Sequence, residues 1–150
     1  MEADDEDRTN PTGLFNTAVS YWKSAAALER AKVKATHPDS PIRLLYYHAI
    51  ELYLKAFLRQ HHSVRELASK KFGHDTGKLS CRAGELGLSF DDEDQAVFAH
   101  LSDGDTLIRA RYIRTGPFRW PPLDALDRTC RSLHDGVGRA LKARGLPVRL

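Results

Sequence analysis

The sequence is poor in several features that would place a protein in a specialised class. It has two cysteines in 150 residues, Cys81 and Cys130, too few for a disulfide framework and too far apart for a thiolate metal site. No apolar run approaches the ~20 residues that a membrane-spanning helix needs. No window alternates with the period of two that marks a half-buried strand. These absences argue against a disulfide-rich secreted domain, a membrane protein and a β-rich fold.

The start of the chain also lacks the pattern of an export signal. The first ten residues, MEADDEDRTN, are acidic, whereas a signal peptide is basic and then apolar. We therefore expect a cytoplasmic protein with no membrane association and with free cysteine thiols. We expect residues 1–12 to form a disordered acidic tail, residues 13–145 to form one helical domain, and residues 146–150 to form a C-terminal tail.

The residues that are present have the balance of a soluble globular domain, with 41% hydrophobic and 29% charged residues. Every long periodic segment has apolar residues at spacings of three and four, which is the helical period. The clearest stripe lies between residues 42 and 57, and proline-containing breaks stand at residues 37–41 and 116–122. We expect Asp39 or Ser40 to cap the helix that carries this stripe, and Ser63 to cap a short helix after it. The sequence predicts an all-α fold, an antiparallel up-and-down bundle of four to five helices.

The net charge of +3 is unevenly spread along the chain. From Asp105 onward there are ten Lys and Arg residues and four acids, and nine of the ten cations are Arg. The planar guanidinium of Arg suits phosphate well. A basic face for an anionic partner would explain this excess, and so would an ordinary solvated helix face.

The stretch FGHDTGKLS, residues 72–80, has two interpretations. Its His-Asp pair resembles that of the HD phosphohydrolases, and His48 upstream with Asp103 or Asp105 downstream would supply the other metal ligands. However, a Gly directly before the pair, after two lysines, is typical of a loop. Asp75 would then be the N-cap of the next helix, where its carboxylate accepts backbone N–H groups. We favour capping, and we expect no metal and no other cofactor.

Three segments in one order carry a resemblance to a known family. They are YHAIELYLKAFL at 47–58, GHDTGKL at 73–79 and ARY at 110–112. Together they resemble the HEPN domains of bacteria, which are small helical bundles, over residues 15–142. In that family a Gly-His-Asp begins a helix and binds no metal.

The resemblance implies partners as well as a fold. It implies a homodimer, or pairing with a nucleotidyltransferase or another toxin–antitoxin component, and contact with RNA or a nucleotide. It marks three motif residues, Glu51, His74 and Asp75. It also implies an alternative, because some HEPN proteins are metal-independent ribonucleases that use an Arg and, a few residues later, a His.

Candidate Arg–His pairs for such a ribonuclease are easily found. Spacings of four to six intervening residues occur at Arg30–His37, Arg43–His48 and Arg128–His134. About two pairs of this kind are expected by chance, so the spacing alone is weak evidence. Arg128 and His134 lie on the basic C-terminal helix, although Thr129 stands where active members usually have a polar amide or acid. In this role His134 would be the general base or acid, and Arg128 would hold the scissile phosphate.

A polar line on the second predicted helix allows two interpretations. Arg43, Tyr47, Glu51 and Lys55 recur every four residues, opposite the apolar stripe. As a functional surface they would form a dimer seam or a phosphate pocket, with Lys55 as a nucleotide-binding or RNA-binding residue. We favour the other interpretation, in which Glu51 and Lys55 form an ordinary exposed helix pair.

A second cluster interleaves cations with aromatic residues. Its members are Arg109, Arg111, Tyr112 and Arg114, running into Arg119 and Trp120. Arg for phosphate and Tyr or Trp for base stacking is the chemistry that single-stranded nucleic acid requires. Alternatively, Trp120 covers the core and the Arg111–Tyr112 pair ties its helix to Glu51 or Asp75.

The leading hypothesis is therefore a dimeric HEPN-like module that binds RNA or a nucleotide through its Arg-rich C-terminal half. The alternative is a metal-independent ribonuclease that uses Arg128 and His134.

Overall fold

The structure, a computed structural model, describes residues 9–101 and 121–149. It contains six helices in these ranges, which we number in chain order: α1 Pro11–Ala31, α2 Asp39–Leu58, α3 Val64–Ala68, α4 Thr76–Glu85, α5 Asp92–Leu101 and α6 Leu123–Ala143. No strand occurs in this part of the chain. The all-α bundle predicted from the hydrophobic periodicity is confirmed.

Local capping signals set the starts of α1, α3 and α4. Asn10 caps α1, since its Oδ1 accepts a hydrogen bond from Gly13 N at 2.7 Å. Ser63 and Asp75 cap α3 and α4 in the same way, with N–H to oxygen distances of 3.1 Å. The sequence predicted the caps at Ser63 and Asp75, and both are confirmed.

The start of α2 differs from its prediction. We expected Asp39 or Ser40 as the N-cap, but the helix already includes Asp39, and the capping position belongs to Pro38, whose side chain makes no capping hydrogen bond. The carboxylate of Asp39 instead lies in the first turn, where it faces the positive end of the helix dipole, and 3.7 Å from Arg43.

The core of the bundle forms around α2. This helix packs against α1, α4 and α6. Its fully buried side chains include Tyr46, Ile50, Tyr53 and Leu54, and the ring of Phe15 on α1 meets that of Tyr53 edge-on at 5.5 Å. Burying a side chain of this size stabilises a fold by roughly 1.5–3 kcal/mol, so α2 supplies much of the hydrophobic stabilisation.

The helix directions follow from the contacts between elements. Tyr46 and Tyr53 of α2 contact Cys130 and His134 of α6 in the same order, so these two helices run parallel. α1 runs antiparallel to both. α4 also runs in the direction of α2, because residues 59–75, which include α3, return along the bundle before α4 begins.

The chain ends of the predicted domain are described in part. Residues 1–8 of the predicted acidic tail, and residue 150, lie outside the described residues. Val148, in the predicted C-terminal tail, is buried against the core, and Leu146 packs beside it.

A buried carboxylate joins α5 to α6. Asp94 is 1% exposed; its Oδ1 accepts from Thr129 Oγ1 at 2.9 Å and its Oδ2 accepts from Ser132 Oγ at 2.7 Å. A buried charge destabilises a fold unless it is hydrogen-bonded, and here each oxygen has a donor. Asp94 therefore fixes the position of α6 against α5.

Substituting Asp94→Ala should lower the free energy of unfolding by about 2–3 kcal/mol, since it leaves two hydroxyl groups without their charged acceptor. Urea unfolding followed by circular dichroism measures the change. Asp92→Ala, an exposed residue in the first turn of α5, is the control and should cost less than about 1 kcal/mol. Equal losses in the two variants would contradict the role of Asp94.

Candidate functional site

The first two segments of the sequence resemblance meet in the structure. Nδ1 of His74, in the loop before α4, lies 2.6 Å from Oε1 of Glu51 on α2. Nζ of Lys55, one helical turn further on, lies 3.7 Å from the same oxygen. Asp75, next to His74, caps α4. We call Glu51, Lys55, His74 and Asp75 the motif cluster.

The Glu51–Lys55 pair is largely buried, so the prediction of an ordinary exposed pair is wrong. The side chains are 8% and 16% exposed, and Tyr47, on the same line, is buried as well. The reason is that α2 packs on three helices, so the face opposite its apolar stripe is covered too. The side chain of His74, in contrast, is 73% exposed.

This burial bears on the predicted role of Lys55. A buried carboxylate needs a charged or hydrogen-bonding partner, and Lys55 and His74 are the partners that contact Glu51. Lys55 therefore stabilises the buried carboxylate of Glu51, and only a small part of its side chain is accessible to a ligand.

Arg128 and His134, the candidate catalytic pair, face different neighbours. The side chain of Arg128 is 46% exposed and forms an ion pair with Glu93 of α5. His134 lies on the side of α6 that packs on α1 and α2. Six residues along a helix correspond to a rotation of about 120° and a rise of about 9 Å. A single copy of the chain does not bring the two side chains into one site.

His134 is half-buried in an aromatic environment. Its ring lies 5.1 Å from that of Phe15 and 5.3 Å from that of Trp22, and its Nδ1 lies 3.0 Å from Tyr53 Oη. Burial lowers the pKa of His134 below its usual value of 6.5; Asp135 raises it, and the nearby charge of Lys23 lowers it further. The imidazole is therefore neutral near neutral pH.

The second sequence cluster lies outside the described residues. This holds for its four predicted nucleotide-binding or RNA-binding residues, Arg109, Arg111, Tyr112 and Arg114, as well as for Arg119 and Trp120. The roles predicted for them remain predictions.

The His-Asp pair has the geometry of a helix start. Asp75 accepts from Lys78 N at 3.1 Å, and the ring of His48 contacts Tyr21 at 5.3 Å, whereas His74 contacts Glu51. Residues 9–101 and 121–149 contain no group of three or more His, Cys, Asp and Glu side chains placed to hold a metal ion. In the same ranges, no helix combines the length and apolar character that crossing a bilayer requires.

A cleft lies between α1 and α6 that no sequence pattern predicted. It has a volume of about 770 Å³ and reaches Tyr46 of α2 at its floor. Four cations line it: Lys23, Arg30, Lys32 and Arg131. Trp22 donates its Nε1–H to Asp127 Oδ1 at 2.8 Å across this α1–α6 cleft. The spacing of seven residues between Lys23 and Arg30 predicts that both lie on one face of α1, near Trp22. No sequence pattern predicts that Arg131 of α6 lines the same cleft, because the fold alone brings it there.

Comparisons with known proteins return no relatives. No model of a protein family matches the chain, and neither the curated proteins nor the solved structures include a match.

The lowered pKa of His134 predicts a pH-dependent stability. The folded imidazole resists protonation, so its contribution to stability is present above pH 6.5 and is lost as the pH falls through the lowered pKa. Between about pH 7 and about pH 5.5 the free energy of unfolding should fall less in His134→Gln than in the parent protein.

Urea unfolding at the two pH values measures the difference. Part of the fall should persist in His134→Gln because of His61, whose pKa is lowered by burial and by Arg144, His62 and Arg82. In the double variant His61→Gln/His134→Gln, the free energy of unfolding should fall still less between the two pH values. An identical pH dependence in the parent and in His134→Gln would contradict the assignment.

Proposed function

We propose that this chain is a HEPN-like module that binds RNA or a nucleotide and acts as a homodimer or with a nucleotidyltransferase partner. One observation carries the proposal: the Glu51–His74 contact of 2.6 Å joins two motif segments that are 23 positions apart in sequence. A chance match between short sequence segments would not require them to share a largely buried carboxylate. The contact thus supports the interpretation of the segments as parts of one motif.

The charge of α6 supports an anionic partner. α6 and its C-cap carry five cations, and all of them are exposed: Arg128, Arg131, Arg139, Lys142 and Arg144. The same helix has three acids. Exposed cations attract the phosphates of nucleic acids, and the release of counterions makes that attraction dependent on salt.

The ribonuclease alternative is favoured by the half-buried position of His134, because burial lowers the pKa of its imidazole. A neutral His can accept a proton as a general base. Since Arg128 lies on another side of α6 and pairs with Glu93, this activity would need His134 of one chain and Arg128 of a second copy. A nuclease of this kind would therefore depend on dimerisation.

Binding is tested by fluorescence anisotropy of a short labelled single-stranded RNA, with a chelator present and at several salt concentrations. We expect saturable binding, with the logarithm of affinity falling by roughly 0.7 per phosphate contact for each log unit of salt. The double variant Arg139→Glu/Lys142→Glu should bind several-fold more weakly. The control Lys70→Glu/Lys78→Glu changes the charge equally at exposed positions near α4 and should bind like the parent.

The same samples, run on a gel, separate the two hypotheses. Intact RNA is the expected result for a binding module. Cleavage that is lost in Arg128→Ala and in His134→Ala would instead establish the ribonuclease. No binding of RNA or of mononucleotides at low salt would contradict the proposal.

Dimerisation is tested by sedimentation velocity over a range of protein concentrations. We expect a species of twice the chain mass that persists on dilution to micromolar concentration. A monomer at every concentration, without a partner protein, would leave only the heteromeric form of the proposal.

A further inference from the structure

The α1 wall of the α1–α6 cleft carries cations that are not engaged by the described part of the chain. Lys23, Arg30 and Lys32 are exposed, and no carboxylate in residues 9–101 and 121–149 forms an ion pair with any of them. Lys23 and Arg30 are seven residues apart, so they lie on one side of α1, about 10 Å apart along its axis. The small side chain of Ala26 lines the cleft between them. This wall offers positive charge on both sides of Ala26, with the carboxylate of Glu29 next to Arg30.

The aromatic side chains of the cleft are held in place. The indole N–H of Trp22 is bonded to Asp127, and its ring packs against His134. Tyr46 Oη donates to Glu29 Oε1 at 2.6 Å. Burial, followed by this hydrogen bond, raises the pKa of Tyr46 well above its usual value, so the hydroxyl remains a donor. A fixed, half-buried indole is the kind of surface on which a base stacks.

The three carboxylates of the cleft offset part of the charge of its four cations. Glu29 accepts from Tyr46, and Asp127 accepts from Trp22 and lies 3.4 Å from Nη2 of Arg131. Asp124 lies in the first turn of α6, at the positive end of the helix dipole. Each acid therefore has a donor or a helix N-terminus beside it. The four cations exceed the three acids by one, and within residues 9–101 and 121–149 no carboxylate forms an ion pair with Lys23, Arg30 or Lys32.

The lining therefore has a small net positive charge, and the described residues leave three of its cations without an ion pair beside a fixed aromatic ring. Its volume of about 770 Å³ falls in the range of roughly 300–1,000 Å³ that small-molecule sites occupy. A ligand that matches both features has a phosphate and a planar ring a short distance apart.

We infer that the α1–α6 cleft is the site at which this chain holds a nucleotide unit, with the phosphate on Lys23 and Arg30 and the base against Trp22. The inference rests on the proposed function. It places the binding site in the α1–α6 cleft, away from the cluster of Arg109, Arg111, Tyr112 and Arg114 that the sequence favoured. A free mononucleotide and a single-stranded RNA present the same phosphate and base, so both are probes of the site.

Trp22 itself reports binding. The chain has two tryptophans, and Trp120→Phe leaves Trp22 as the sole indole fluorophore. Adenosine 5′-monophosphate, a short single-stranded RNA and inorganic phosphate are each titrated into this variant. We expect saturable quenching with the nucleotide or the RNA. Tighter binding of the RNA identifies a strand as the ligand, and equal or weaker binding identifies the free nucleotide.

Charge reversal on the α1 wall tests the phosphate contact. Lys23→Glu/Arg30→Glu, made in the Trp120→Phe protein, should weaken binding about tenfold or more, because two phosphate contacts are lost. The control Lys70→Glu/Lys78→Glu carries the same change in charge and should bind within about twofold of the parent. All four substituted positions are exposed, and equal urea-unfolding midpoints verify that the variants are folded.

Two results would overturn the inference while leaving the proposed function intact. One is RNA binding by anisotropy that neither changes Trp22 fluorescence nor responds to Lys23→Glu/Arg30→Glu. The other is quenching by inorganic phosphate with the same affinity as the nucleotide, which removes the base from the site. Failure of both RNA and nucleotide to bind in either assay would overturn the inference and the proposed function together.

Discussion

The fold depends on one constraint, which is that α2 is covered by three helices and has little contact with water. A helix in this position must be apolar on most of its surface, and every polar atom that it carries must find a partner on a neighbour. The polar ends of three α2 side chains do so. Tyr46 bonds to Glu29 of α1, Tyr53 to His134 of α6 and Glu51 to His74 beside α4.

These three contacts connect the core to the α1–α6 cleft, to His134 and to the motif cluster. The Tyr46 contact forms the floor of the α1–α6 cleft, the Tyr53 contact orients His134, and the Glu51 contact builds the motif cluster. The packing of α2 and the hydrogen bonds of its polar side chains therefore also position the side chains that could bind a ligand or act in catalysis. Substitutions on α2 should therefore disturb stability and function together.

Local sequence patterns were enough to predict the all-α fold. Hydrophobic periodicity and capping residues act within one or two helical turns, so the helices and the caps at Ser63 and Asp75 were predictable from short windows. The cap of α2 was not, because Asp39 can stabilise a helix end either as the cap or from the first turn. The burial of the Glu51–Lys55 pair was missed for a different reason: periodicity identifies the most apolar face of a helix but not how many neighbours it has.

The candidate site shows the same division between local and distant information. Glu51, His74 and Asp75 were marked by resemblance, and the structure brings them together. The pairing of Arg128 with His134 was inferred from spacing along one helix, yet their environments are set by α5 on one side and by α1 and α2 on the other. The α1–α6 cleft depends on contacts such as Trp22–Asp127, 105 positions apart, which no local pattern encodes.

The directions of the helices give the bundle an electrical polarity. In a strictly alternating bundle the helix dipoles largely cancel, but here α2, α4 and α6 point one way and α1 and α5 the other. α5 opposes α6 because Glu93, at its start, pairs with Arg128, whereas His100, at its end, lies beside Pro121 and Pro122. Among these five helices, the first group exceeds the second by about the length of one long helix, so a net moment remains along the axis. Its positive end is the end at which α2 and α6 begin. Because the field of a helix end falls off within about one turn, this polarity acts on an anion only once it lies close to the starts of α2 and α6, the end of the bundle at which Arg30 and Lys32 of the cleft also lie.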